Sequence, residues 1–167
     1  AQSIVKAHKS GATVIGICGG YQMMGQDVCD PDHIESNIER LPGLGLLPVS
    51  TIIEKEKVTR QIRFSFLDSH PDCQGYEIHM GTTQPIDNYL ETGQTDGCFV
   101  NEKCFGTYIH GILDNGAVID HILKPYADKL ADEEFDFAAF KEEQYNKLAD
   151  HVRKHVNMDV VYKIMEE

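Results

Sequence analysis

The spacing of apolar and polar positions changes period twice along the chain. Ala1 to Lys9 predicts the last turns of a helix, closed at Gly11. Ala12-Thr13-Val14-Ile15-Gly16-Ile17 is a short apolar run suited to a buried parallel strand. Cys18-Gly19-Gly20 turns sharply, and Tyr21-Gln22-Met23-Met24-Gly25 continues as a helix ending near Gly25. Helix, strand, turn and helix in this order predict an α/β sheet protein.

In the middle of the chain the period shortens to two. Pro42 to Pro48 reads as a loop entering a strand from Val49 to Ile53. Val58, Arg60, Ile62, Phe64 and Phe66 alternate with Thr59, Gln61, Arg63 and Ser65, with Arg60 the exception on the apolar side. Gly75 to His79 predicts a further short strand. Gly97 to Val100 and Phe105 to Ile109 predict a hairpin turning at Asn101-Glu102-Lys103. From Ala117 to Leu130 the period is helical again, with Pro125 a kink or break. Phe137, Phe140, Leu148, Val152 and Val156 form a helical stripe, with Tyr145 beside it, expected to be ordinary core packing. No repeat, low-complexity segment or linker interrupts the chain, so residues 1–167 read as one domain.

Charge narrows the partners. A formal net charge of −12 excludes a phosphate-backbone binder and an anionic membrane surface. It reads as solubility, and the acidic segments Asp132-Glu133-Glu134 and Glu142-Glu143 read as a solvated face. No stretch approaches the roughly 20 apolar residues of a membrane span, and the N-terminus has no apolar leader. The chain lacks an initiating Met, which predicts a fragment or a processed product. Five cysteines, an odd number without a C-x-x-C pair, argue against a disulfide framework or a four-cysteine zinc site and fit a reducing, cytoplasmic setting. His151 and His155 have metal-ligand spacing, but nothing beside them completes a site, so no metal is expected.

One cysteine stands apart. Gly16-Ile17-Cys18-Gly19-Gly20 has the form G-x-C-x-G between a strand and a helix, the cysteine version of a nucleophile elbow. So tight a turn strains the central residue, and side chains on either side are expected to collide, which calls for glycine. The sulfur then sits at a helix start, where free N–H groups favour thiolate and the N–H of Gly19 can face a developing oxyanion. A cysteine nucleophile needs a histidine. His8, His121, His151 and His155 lie in helical patterns and read as exposed, and His33 and His70 read as loop residues. His110 follows Phe105-Gly106-Thr107-Tyr108-Ile109 and precedes Gly111, at a strand end where open α/β sheets carry their sites.

These residues bring a family into view. Gly16-Ile17-Cys18-Gly19-Gly20-Tyr21-Gln22-Met23-Met24-Gly25 resembles the nucleophile segment of class I (triad-type) glutamine amidotransferases, in their cobalamin-pathway branch. Gly75-Tyr76-Glu77-Ile78-His79-Met80-Gly81 and Gly106-Thr107-Tyr108-Ile109-His110-Gly111 are similar to further segments of that branch, as are Gly43 to Leu47 and Leu148 to Arg153. The resemblance implies a flavodoxin-like, three-layer α/β fold with a mostly parallel sheet and a helical C-terminus. It implies Cys18 as nucleophile and His110 as base, with glutamine contacted by Gly19, Gln22, His79 and Gly81. It implies no cofactor in this domain. ATP and Mg²⁺ would serve a synthetase domain of the same polypeptide, which activates carboxylates of a corrinoid.

Two departures accompany the resemblance. Triad enzymes carry Glu two residues after the histidine, where this chain has Ile112. Glu77 and Asp114 are candidates to orient the imidazole, as is a backbone carbonyl, and a dyad is the alternative. The strands, helices and second oxyanion loop that precede the nucleophile in the family do not precede Cys18 here, nor does a G-x-x-x-x-G-K-[ST] loop. The expectation is a domain lacking its N-terminal strands, weak or inactive as a glutaminase alone. The elbow and histidine by themselves fit equally another cysteine hydrolase of the same fold, or a catalytically inactive truncated domain.

Overall fold

The computed structural model describes residues 1–66, 70–86, 97–129 and 136–166. The chain divides into two compact units, Ala1–Ala127 and Asp128–Glu167. The first opens with α1 (Gln2–Lys9), β1 (Val14–Ile17), α2 (Gly19–Met24), β2 (Asp27–Cys29) and β3 (Arg40–Pro42). It continues with β4 (Val49–Phe66), β5 (His70–Pro85), β6 (Cys98–Asn101), β7 (Cys104–Thr107) and β8 (Ile109–His110). A 3₁₀ turn (Ile112–Asp114) and α3 (Gly116–Leu123) follow, and a second 3₁₀ stretch (Lys124–Lys129) replaces helix where Pro125 removes a donor. The second unit holds α4 (Phe137–His155) and α5 (Met158–Met165).

The strands form two sheets, ordered β1-β7-β6 and β3-β2-β4-β5-β8. β1 runs parallel to β7, and β2 runs parallel to β4. The pairs β2–β3, β4–β5, β5–β8 and β6–β7 are antiparallel. A mostly parallel sheet is therefore corrected to mixed sheets. At β6–β7 the physical reason is connectivity: strands joined by the short turn between Asn101 and Cys104 pair antiparallel, whereas parallel pairing needs a crossover. Gly75–His79 is not a separate short strand but part of β5, which runs beside almost the whole of β4. His70, expected in a loop, begins that strand.

β7 and β8 are consecutive yet belong to different sheets. The chain crosses between them at Tyr108, and the Thr107 hydroxyl accepts a 3.0 Å hydrogen bond from the Ile109 N–H at the crossing. Residues 104–109 are all buried. Alternation sends Cys104 and Tyr108 into one apolar cluster with Tyr21, Met24, Leu47 and Val49. Phe105 and Ile109 go into a second, with Phe64, Phe66, Ile112 and Val118. Side chains of this size contribute about 1.5–3 kcal/mol each when fully buried, so the crossing is pinned from both sides.

In the second unit Asp136 caps α4 by accepting from the Ala139 N–H, and Asn157 caps α5 by accepting from the Val160 N–H. The apolar stripe expected to be core is exposed, from 37% at Phe137 to 60% at Leu148. A unit of two helices is too small to enclose such a stripe. No helix among the described residues is long and apolar enough to cross a membrane.

Candidate active site

Cys18 joins β1 to α2 with φ 55° and ψ −118°, a conformation that L residues rarely adopt. Such a residue costs on the order of 1–3 kcal/mol and persists only when its surroundings hold it. Its N–H donates to the Thr107 carbonyl at 2.9 Å, extending the β1–β7 ladder past Ile17, and its own carbonyl accepts from the Gln22 N–H at 3.1 Å. A β carbon at Gly16 would lie 2.6 Å from the Met24 sulfur and 2.8 Å from the Gly20 carbonyl, so α2 folds back on β1 only over a glycine. At Gly20 a β carbon would meet open space, and the expected collision on both sides of the elbow is corrected to one side. Gly19 begins α2 and is exposed.

His110 lies at the end of β8 opposite Tyr76, whose ring stacks on the imidazole at 5.0 Å and 11°. Its Nε2 is buried and has no hydrogen-bond partner among the described residues. The short stretch Tyr76–Met80 of β5 connects the predicted residues. Tyr76 meets His110, the Ile78 carbonyl lies 3.5 Å from the Cys18 Sγ, and the Met80 carbonyl accepts from Gln22 Nε2 at 2.9 Å. Both sheets thus reach the same stretch of β5: β1 and β7 hold Cys18 beside Ile78, while β8 holds His110 beside Tyr76.

Contacts of the predicted residues beyond that stretch differ from one to the next. Gln22 Nε2 donates also to the Tyr108 hydroxyl at 3.2 Å. His79 Nδ1 faces the Gly81 carbonyl at 3.2 Å, and its ring stacks on Tyr108 at 3.7 Å. Gly81 has φ 89° at the register shift of β5 on β4, where a β carbon would lie 2.6 Å from the Ile52 carbonyl. That backbone need accounts for its glycine. Glu77 pairs with Arg60 across the hairpin and forms an ion pair with it; by strand alternation it occupies the face of β5 opposite Tyr76 and His110. The same pair explains Arg60 on the apolar side of β4. Asp114 carries its carboxylate beside Gly111, 3.8 Å from where a β carbon would stand.

Burial pushes the thiols of Cys29, Cys73 and Cys104 up, which keeps them protonated and unreactive. His121, expected on the surface, turns inward: it meets Phe66 edge-on at 5.4 Å, and its Nε2 is buried. His155 Nδ1 lies 2.8 Å from the His151 carbonyl on the exposed face of α4. No group of three or more His, Cys, Asp or Glu among the described residues could hold a metal ion. Sequence reasoning passed over Tyr76, Thr83 and Tyr108 as site residues, although two of them lie inside the motifs that carry the resemblance.

A strained cysteine at a strand–helix junction lies beside Ile78, and a histidine stacks on Tyr76 two residues earlier in the same strand, within an α/β fold. Residues 1–118 match the CobB/CobQ-like glutamine amidotransferase domain, and the chain belongs to that family. Its relatives carry a more particular name. The cobyric acid synthase of Bacteroides fragilis is 62% identical over 100% of this chain and 35% of its own length. That of Phocaeicola vulgatus is 56% identical, over 99% of this chain and 35% of its own length. That of Thermoanaerobacter sp. is 39% identical, over 99% of this chain and 38% of its own length. The chain thus spans about a third of the length of these curated relatives.

Proposed function

We propose that this chain is the glutamine-hydrolysing, ammonia-supplying part of a cobyric acid synthase acting in cobalamin biosynthesis in the cytoplasm. Its ammonia would pass to a synthetase domain of the same polypeptide. There ATP and Mg²⁺ would activate side-chain carboxylates b, d, e and g of adenosylcobyrinic acid a,c-diamide for amidation. No residue of this chain is assigned to ATP or Mg²⁺. The flavodoxin-like three-layer arrangement belongs to the same reading.

The observation that carries the proposal is the convergence on Tyr76–Met80 of Cys18, Gln22 and His110. Cys18 thiolate attacks the carboxamide carbon of glutamine, forming a C–S bond while the carbonyl oxygen becomes an oxyanion facing the Gly19 N–H. The intermediate collapses as His110 gives a proton to the departing nitrogen, and ammonia leaves. The γ-glutamyl thioester is then attacked by water, whose proton returns to His110. The C–S bond breaks, and glutamate and the thiolate are released. His79 and Gly81 are read as lining the amino-acid end of the substrate. Of the two residues considered for orienting His110, Asp114 is favoured, because the Glu77 carboxylate is engaged by Arg60.

The test is glutaminase activity of the protein that carries this chain. Cys18→Ala is expected to lower kcat on the order of 10³-fold or more, and a glutamine-analogue electrophile is expected to label Cys18. Undiminished turnover in the variant, or labelling by peptide and ester probes alone, would overturn the reading.

A further inference from the structure

Behind Gln22 lies a chain of hydroxyls, Tyr108, Thr83 and Thr51. Gln22 Nε2 has two hydrogens and two acceptors, the Met80 carbonyl at 2.9 Å and the Tyr108 oxygen at 3.2 Å. Tyr108 receives one of those hydrogens, and its hydroxyl also shares a hydrogen bond with Thr83 Oγ1, 2.6 Å away. Thr83 in turn meets Thr51 Oγ1 at 2.7 Å, and Thr51 is fully buried. The amide cannot turn over without setting its oxygen against the Met80 carbonyl, an acceptor facing an acceptor. Among the described residues, the arrangement leaves Gln22 Oε1 as the open end of the amide. That end is an acceptor, matched to an N–H donor on a bound molecule. Gln22 stands one helical turn after Cys18, on the same face of α2.

We infer that Tyr108, backed by Thr83 and Thr51, is a positioning residue for substrate recognition. It locks the Gln22 amide with its carbonyl toward the nucleophile's side, so that Gln22 selects a substrate carrying an N–H group at the distance of a short amino acid. The inference rests on the proposed glutamine hydrolysis for its substrate, and on the hydrogen-bond chain alone for the positioning. Tyr108 also packs edge-on against Tyr21, with ring centres 5.1 Å apart, so its ring has a structural part that its hydroxyl lacks. Tyr108→Phe keeps the first and removes the second.

The experiment measures glutamine hydrolysis by the protein that carries this chain, together with the side-chain NH₂ resonances of Gln22. Tyr108→Phe is expected to raise KM for glutamine about tenfold, the worth of one buried hydrogen bond, with kcat within about twofold. In a Gln22→Ala background the same substitution is expected to add nothing further, because Tyr108 acts through Gln22. Thr83→Ser should preserve KM and Thr83→Val should raise it. An unchanged KM in Tyr108→Phe, or an equal effect with and without Gln22, would overturn the inference. The NMR signal separates the two readings: Tyr108→Phe should shift the Gln22 NH₂ pair toward solvent-exposed values. If it does so in a protein that never hydrolyses glutamine, the substrate is wrong and the positioning stands; if the pair does not move, the positioning is wrong.

Discussion

At Cys18 the backbone dihedral that presents the sulfur is one that only glycine adopts without cost. Removing the side chain should therefore have unequal effects on stability and chemistry. Both Cys18→Ala and Cys18→Gly are expected to abolish turnover. Cys18→Gly is expected to be the more stable, by about 1 kcal/mol, since strain at such positions is on the order of 1–3 kcal/mol. Urea unfolding midpoints of the two variants check this, and equal midpoints would show that the turn is not strained. The site residues divide on the same principle. Cys18 and His110 stand out in the sequence as candidates because each sits beside a glycine at the end of an apolar run. Tyr108 does not, because a tyrosine inside an apolar run reads as core. Its ring is core; its hydroxyl, which reaches Gln22 and Thr83, is visible only once two sheets are brought together.

Among the elements, the β4–β5 hairpin shows what alternation can and cannot disclose. Val49–Ile53 and Val58–Phe66 were readable as strands, but they are two ends of β4. Between them Glu54-Lys55-Glu56-Lys57 is exposed on both sides, and the register against β5 shifts between Ile52 and Lys57. An exposed irregular stretch gives no period of two, although its backbone is strand. β5 was under-read for the same reason, since the polar Thr82-Thr83-Gln84 pairs with Thr51 and its neighbours. The exception on β4, Arg60, supports a test. Glu77 is only 2% exposed, whereas the Arg60 side chain is 62% exposed. Arg60→Ala is expected to destabilise the fold by about 1–3 kcal/mol, because a buried carboxylate loses a charged partner. Solvent around the guanidinium keeps the figure below that of a fully buried pair. Glu77→Gln, which retains a hydrogen-bonding group, should cost less. Denaturant midpoints of the two variants decide the order, and a neutral Arg60→Ala would show the pair to be idle.

For the molecule as a whole, acid stability follows from two aspartates beside β2 and β3. The Arg40 guanidinium holds the Asp27 carboxyl below its ordinary value, against the opposing effect of burial. For Asp30, burial pulls upward, but the N–H groups of Ile34, Glu35 and Ser36 together outweigh it, and the carboxyl is again held low. A carboxyl whose folded pKa is depressed stabilises the fold above its unfolded value, about 3.9. It loses that contribution as pH falls through the lower folded value. The unfolding midpoint is therefore expected to drop as pH is lowered from about 4. An Asp27→Asn, Asp30→Asn variant should be less stable at neutral pH and show a flatter acid limb; an unaltered slope would assign acid sensitivity to other groups. The crossing at Tyr108 has a consequence in time as well as in space. Val14 pairs with Cys104, so the strand that leads into Cys18 emerges well before its partner and waits for it during synthesis. Until that pairing forms, Cys18 lacks the backbone bond to Thr107 that holds it at the end of β1. On the proposed reading, a nascent chain therefore has no assembled site to release free ammonia, and hydrolysis waits until β1 and β7 have paired.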